Sequence, residues 1–559
     1  MMSTLRILAV TVAFAGLSIL LSGCGQPVQE AAETETAPEA EAAAVEAADA
    51  DRPVANTMHG PVRGYVDGGI LTFKGVRYGA DTATTRFAPP ASPAGWTEPV
   101  DAVAFGPSAP QPQRGRLSLF DSWVPDPDPG ISEDCLFLNV WTPALDEGKR
   151  PVMVWLHGGG FTTGSGSSNA YDGVRLADRG DVVIVTVNHR LNVFGYLYLD
   201  EFGEEFAGSA NVGMLDLVAS LEWVRDNIES FGGDPDNVLI FGESGGGWKV
   251  STLMSMDSAQ GLFHRAVVQS GPGLTLMEPE TASAATGALL AELGLDGDSV
   301  AELRALPMET IAAAAVSLAE NGVSVGNRPV VDGVHNLRHP FTPAAPDQSR
   351  EVPLMIGSTR TEMSMLAGAR NRELFDLTWD TLPAALEQAI AGVDGQAVVD
   401  GYRELHPDID AVNLFFEAIT DTGTFGRGSF TLADRKAEQG GADVYQYYFS
   451  WPTPVEGGMW SATHALDIGF VFDNVEKSAS MSGTGERQQA LADVMSEAWL
   501  AFARNGDPNH DGLPEWPVYD TESRATMVFD DESVVVNDPR GRERAIIDGA
   551  LAGAAGGGD

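Results

Sequence analysis

The chain has 559 residues, 43% of them hydrophobic, so a large buried core is available, and its 79 acidic against 34 basic residues give a formal charge of −45. A surface this acidic repels phosphate backbones and anionic membrane faces, arguing against nucleic-acid binding, and slows the approach of anionic substrates. Only two cysteines are present, Cys24 and Cys135, so neither a disulfide scaffold nor a cysteine zinc site is available, and nothing calls for a metal or an organic cofactor.

The first residues read as an address. Arg6 supplies a positive n-region and Ile7 to Leu20 an apolar h-region, shorter than a comfortable membrane span. The run ends in Leu21-Ser22-Gly23-Cys24, which resembles the lipobox of bacterial lipoproteins. That resemblance implies a signal peptide over 1–23 and a lipid-modified Cys24 at the mature N-terminus, hence an extracytoplasmic, membrane-anchored protein. Residues 24–53 are Ala/Glu-rich. Glu30, Glu33, Glu35, Glu39, Glu41 and Glu46 repel one another and no apolar face recurs, so the segment reads as a disordered tether. The folded body is expected over 54–551, followed by a flexible Gly/Ala tail over 552–559.

Within the body, Pro151-Val-Met-Val-Trp-Leu156 is an uninterrupted apolar run, the mark of a strand buried on both faces. It leads into His157-Gly158-Gly159-Gly160-Phe161. Three successive glycines free backbone N–H groups to face a ligand, as acyl transfer requires where a carbonyl oxygen becomes negative. No Gly-Lys-Ser/Thr ending follows, which weakens a phosphate-loop reading. Asp181 to Val187 repeats the buried-strand pattern, and Leu217, Leu221, Val224 and Ile228 recur at helical spacing. After the breakers of Phe231-Gly-Gly-Asp-Pro235, the apolar Val238 to Phe241 runs into Gly242-Glu243-Ser244-Gly245-Gly246. A Gly-x-Ser-x-Gly after a strand and before a helix predicts a nucleophile elbow, with the serine hydroxyl raised above the sheet edge. By position the expected oxyanion donors are the N–H groups of Gly159, Gly160 and Gly245. Strand, helix, strand, nucleophile, helix is an α/β order with a mostly parallel sheet flanked by helices.

Together these pieces resemble the type-B carboxylesterase/cholinesterase family of α/β-hydrolases, with bacterial para-nitrobenzyl-esterase-like character. The resemblance also rests on Phe73-Lys-Gly-Val-Arg-Tyr78, Ser132-Glu-Asp-Cys-Leu-Phe-Leu-Asn139, Asn188-His-Arg-Leu191, Gly261-Leu-Phe263, Gly506-Asp-Pro-Asn509 and Trp516-Pro517. It implies a serine esterase acting on small to medium carboxylic esters through an acyl-enzyme. It also implies the two partners that local patterns do not reveal: Glu362, in Gly357-Ser-Thr-Arg-Thr-Glu362, and His464, in Ala462-Thr463-His464. The order Ser244, Glu362, His464 agrees with the α/β-hydrolase order. Asp332 is the rival acid. His157 is expected to hold the glycine loop, and His189 and His264 to be packed structural groups.

Three departures from the family pattern stand out. The usual cysteine partner of Cys135 is replaced by Ala109 in Gly106-Pro-Ser-Ala109-Pro-Gln111, which implies a free buried thiol and a less tethered loop between Ala109 and Ser132. Gly245 stands where the family more often has alanine. Trp123 matches poorly the tryptophan that binds quaternary ammonium in cholinesterases, and ordinary loop packing is the plainer reading. Two alternatives stay open beside the esterase: a lipase, amidase or carbamate hydrolase of the same family, and a non-catalytic adhesion or binding module, which would lack the serine.

Overall fold

Runs of Val, Ile and Leu uninterrupted by polar residues suit strands covered on both faces, and such runs form the centre of the protein. The computed structural model describes residues 52–112 and 117–556. The signal peptide, Cys24, the tether up to Asp51 and residues 557–559 lie outside the described residues.

An eleven-stranded sheet runs through the body. In chain order its strands are β1 (Tyr65–Asp67), β2 (Ile70–Arg77), β3 (Phe137–Thr142), β4 (Arg150–Leu156), β5 (Val183–Val187), β6 (Gly233–Glu243), β7 (Arg265–Gln269), β8 (Leu354–Thr359), β9 (Val444–Phe449), β10 (Ala525–Phe529) and β11 (Val534–Asn537). Across the sheet the order is β11-β10-β9-β8-β7-β6-β4-β5-β3-β2-β1. The seven strands from β10 to β5 are parallel, and antiparallel strands close both ends. A separate three-stranded sheet is built from Val54–Thr57, Gly60–Arg63 and Val100–Asp101. The chain is thus an α/β-hydrolase-like body with a mostly parallel sheet, as the strand and helix order predicts.

The parallel pairing fixes where chemistry can happen. β4 and β6 are neighbours in register, with Trp155 opposite Phe241 and Leu156 opposite Gly242. Their carboxyl ends therefore deliver the glycine loop and Ser244 to the same place, at the edge where open α/β sheets bind ligands. The two faces of the sheet are covered by separate apolar clusters. One is centred on Val154, Leu156, Val185, Ile240 and Leu221; the other holds Trp155, Phe241, Trp499, Phe472 and Tyr447. The helix α1 (Val212–Asn227) belongs to the first, through Leu217, Leu221 and Val224, all fully buried.

Two expectations need correction. A helix spans Gly541–Gly556, so residues 552–556 continue a helix rather than forming a flexible tail; Ile547 and Ala550 anchor its earlier turns against the Leu386–Phe416 cluster. The loop before Ser132 is also better tied than the missing disulfide suggests. Ser108 bridges to the segment around Ile131 in parallel, its N–H donating to Gly130 O at 2.9 Å and its O accepting Ser132 N–H at 2.9 Å. Asn169 donates to the carbonyls of Ser122 (3.1 Å) and Val124 (2.7 Å), and Trp123 packs edge-on to Phe120 at 5.0 Å and Tyr171 at 6.4 Å. Trp123 is thus a buried packing residue of that loop. Cys135 is free and buried. Among the described residues no helix is long and apolar enough to cross a membrane.

Candidate active site

Ser244 caps the helix α2 (Gly245–Leu253) with φ 57° and ψ −122°, a backbone conformation that costs energy for any residue with a Cβ. The turn is held from both sides. Ser244 N–H donates to Gln269 O on β7 at 2.9 Å, and Trp248 N–H to Ser244 O at 3.1 Å. Tight approach explains the glycines: a Cβ on Gly246 would stand 1.9 Å from Leu156 O. Nothing larger fits there.

The glycine loop leaves β4 beside this turn. Gly159 and Gly160 have φ of 86° and 63°, and the N–H groups of Thr162 and Thr163 turn back onto Gly159 O at 3.3 and 3.1 Å. Neither the N–H of Gly159 nor that of Gly160 has an acceptor among the described residues. Gly245, as the first residue of α2, has an N–H without an intrahelical acceptor. A Cβ on Gly245 would lie 2.1 Å from Gly160 O, so the missing methyl lets the loop sit close against the start of the helix.

Beneath the loop lies an unexpected cation. Lys249, fully buried, donates from Nζ to His157 O at 2.8 Å and has no carboxylate partner among the described residues. Burial lowers its pKa to about 7. His157 Nδ1 lies 2.8 Å from Gly158 O, and the His157 and His189 rings are 4.9 Å apart. Burial, then the charge of Lys249, holds both imidazoles well below their usual range. His157 therefore braces the loop, and His189 is packed, as the sequence suggests. His264 accepts from Val238 N–H at 3.1 Å through Nδ1, a structural role.

Glu362 and His464 are brought together by a bridge that no local pattern discloses. Thr361 and Thr463 pair in parallel, with Thr361 N–H donating to Ala462 O at 3.0 Å, so the next residue on each segment meets its counterpart. His464 Nδ1 lies 2.5 Å from Glu362 Oε2, and Glu362 Oε1 accepts Thr359 N–H at 2.8 Å. Both side chains are buried, while Ser244 is partly open. Asp332, the rival acid, instead caps a turn by accepting the N–H groups of Val334, His335 and Asn336 at 2.8–3.0 Å.

Two further carboxyls crowd the imidazole, and sequence reading missed both. Glu243 Oε1 is 3.2 Å from His464 Nε2, without the alignment of a hydrogen bond. Asp467 accepts Gln269 Nε2 at 3.0 Å and Tyr447 OH at 2.9 Å. Burial lifts Glu243 to about 8, the imidazolium of His464 drawing it back and the negative Asp467 and Glu362 pushing it further up. Burial likewise raises Asp467 to about 6. For His464, burial disfavours the imidazolium, but the charges of Glu243 and Glu362 outweigh it and raise the ring to about 9. Position next to the serine was the available signal for Glu243; Asp467, three residues past His464 in an apolar run, was marked only by being a charge where burial is expected. The arrangement thus supplies a raised hydroxyl, an imidazole oriented through Nδ1, and free N–H donors beside them.

Comparison with known proteins agrees with this geometry. The sequence model of the Carboxylesterase family matches residues 51–545. Para-nitrobenzyl esterase of Bacillus subtilis is 36% identical over 500 residues, covering 88% of this chain and 97% of that one. Phenmedipham hydrolase of Pseudarthrobacter oxydans is 32% identical over 511 residues, covering 87% and 96%. Among solved structures, the Geobacillus stearothermophilus carboxylesterase EST55 superposes with a TM-score of 0.76 at 39% identity, covering 89% of this chain and all of the other. The chain belongs to the carboxylesterase family and is a carboxylic ester hydrolase.

Proposed function

We propose that Ser244 is the nucleophile, His464 the general base and acid, and Glu362 the group that orients it, with Gly159, Gly160 and Gly245 donating N–H groups to the oxyanion. The observation that carries this reading is the 2.5 Å link between His464 Nδ1 and Glu362 beside the strained Ser244 turn. As Ser244 Oγ attacks the ester carbonyl, His464 Nε2 takes its proton and Glu362 stabilises the imidazolium. The carbonyl oxygen becomes negative among the backbone donors, each worth about 2.7–4 kcal/mol in such sites. His464 returns the proton to the departing alcohol, and water then repeats the cycle on the acyl-enzyme to release the acid.

The test follows p-nitrophenolate release from acetate, butyrate and octanoate esters by the full chain and by Ser244→Ala, with fluorophosphonate labelling. Turnover and labelling in the parent, both lost in Ser244→Ala, are expected. Undiminished turnover in Ser244→Ala would remove the assignment. Hydrolysis of carbamates is a second activity to assay, since a relative at 32% identity is a phenmedipham hydrolase.

For location, Leu21-Ser22-Gly23-Cys24 supports a lipid anchor at Cys24 and an extracytoplasmic site of action. Two or three acyl chains anchor firmly, since each buried CH₂ contributes about 0.8 kcal/mol. Cys24→Ala should leave the membrane fraction or accumulate as precursor, whereas unchanged membrane association would refute the anchor.

A further inference from the structure

Helix α2 is buried along nearly its whole length. Between 244 and 253 only Ser244 and Trp248 are not fully buried, and Trp248 N–H donates to Ser244 O at 3.1 Å, which sets the tryptophan one turn beyond the serine. The Trp248 ring meets that of Phe161 at 6.2 Å, and Phe161 directly follows Gly160. Over the tryptophan stands Arg328, its guanidinium carbon 5.1 Å from the ring centroid.

The segment carrying Arg328 is fixed to the same loop. A Cβ on Gly326 would lie 2.8 Å from the backbone carbonyl of Asn192. Asn192 in turn donates its N–H to Phe161 O at 2.7 Å and its Nδ2 to Thr162 O at 3.3 Å. On the other side, Val330 bridges to Met277. Arg328 is thus held at a defined place in the cleft wall, next to the glycine loop.

Its partners are what is missing. Among the described residues Arg328 makes no hydrogen bond and no ion pair, whereas Arg370, Arg403 and Arg542, which share that lack, are exposed. Half-buried on a tryptophan face, the guanidinium is partly desolvated, which lowers its pKa, and no neighbouring acid offsets this. With the guanidinium over the ring and no protein acceptor among the described residues, its N–H fork is left unpaired, and such a fork receives a carboxylate through two parallel hydrogen bonds.

The cleft geometry says which part of a substrate reaches this corner. At the tetrahedral carbon one position is taken by Ser244 Oγ and one by the oxygen in the glycine loop. The leaving group must face His464, whose ring neighbours are Phe425 at 4.9 Å, Glu362 and Glu243. None of these belongs to the Arg328–Trp248–Phe161 corner, which borders the glycine loop and therefore faces the acyl chain. We propose that Arg328, lying over Trp248, binds a carboxylate carried by the acyl group, so that monoesters of short dicarboxylic acids are substrates. The proposal rests on Ser244 being the nucleophile. The chain's overall negative charge does not oppose it at contact range, because exposed charges beyond about 8 Å are screened at physiological salt.

The experiment compares kcat/KM of the full chain on monomethyl succinate, glutarate and adipate with the neutral methyl butyrate, pentanoate and hexanoate, in the parent, Arg328→Gln and Arg328→Lys. The parent should turn over at least one hemiester as well as its neutral counterpart. The hemiester-to-neutral ratio should fall about tenfold or more in Arg328→Gln, the loss of one charged contact, and be partly restored in Arg328→Lys. An unchanged ratio in both variants, or a parent more than tenfold slower on every hemiester, would overturn the proposal while leaving the esterase intact. Failure on all six esters, with no fluorophosphonate labelling of Ser244, would overturn the nucleophile assignment and this proposal with it.

Discussion

Glu243 holds a carboxyl oxygen 3.2 Å from Nε2 of His464 while Glu362 occupies Nδ1 at 2.5 Å. The imidazole thus lies between two buried acids with different tasks. Glu362 is aligned with the ring, whereas Glu243 is misaligned, so in the proposed triad Nε2 is left to the serine. Glu243 and His464, lifted to about 8 and about 9, each shift the other's titration. Glu243→Gln removes a charge that raises His464, so the imidazole loses its proton at lower pH. The acidic limb of kcat/KM should move down by about 1 pH unit, and kcat should fall because the imidazolium of the transition state is less stabilised. A pH–rate profile checks it, and an unmoved limb would count against the coupling.

Glu362→Gln keeps the shape of the acid but offers His464 an amide that can stabilise neither the tautomer nor the imidazolium. Turnover should drop by about 10³-fold or more, with KM little altered, while Asp332→Asn, whose contacts are its own turn and Asn211 Nδ2 rather than His464, should keep most of the activity. The two kcat values decide between them, and near-parent turnover in Glu362→Gln would hand the role to another acid.

Local pattern and long-range pairing separate what the sequence shows from what it hides. The Ser244 turn and the Gly158–Gly160 loop are legible because steric demands at single positions select glycine, and the strands before them because double-sided burial selects unbroken apolar runs. Glu362 and His464 are 102 residues apart and meet through the Thr361–Thr463 bridge, which has no local signature; only family resemblance reached them. Glu243, Lys249, Asp467 and Arg328 were hidden for another reason. Each is a polar residue whose partner, or lack of one, is decided by the packing of distant segments. The helix through residues 552–556 was missed because Gly and Ala content was read as looseness, whereas its anchoring by Ile547 and Ala550 is tertiary.

Cys135 is buried beside Leu136 and Ala109 in the core, and burial, then the charge of Asp216, keeps its thiol protonated far above the usual range. Only a thiolate reacts readily. In a Cys24→Ser background the native protein should therefore give no fast reaction with an aromatic disulfide reagent, and one thiol per chain after denaturation without reductant. A fast native reaction would show the core opening at this point.

Lys249 yields a stability prediction whose slope, rather than its size, is the test. In the folded protein its amine is neutral above about 7, whereas an unfolded lysine keeps its proton to about 10.4. Between those values unfolding takes up a proton, so this residue makes stability rise with pH, by up to about 1.4 kcal/mol per unit; below 7 both states carry the proton and the effect vanishes. The flanking His157 and His189 are held neutral by burial and add no compensating charge near neutrality. Lys249→Met loses the donor to His157 O, leaving a buried carbonyl unpaired at a cost of about 1–3 kcal/mol, and it also loses the titration. Melting temperatures of parent and variant should differ by a constant amount from pH 6 to 7, then diverge in the parent's favour from pH 7 to 9. Parallel curves across the whole range would mean that Lys249 keeps its proton in the fold, as an ammonium held by His157 O.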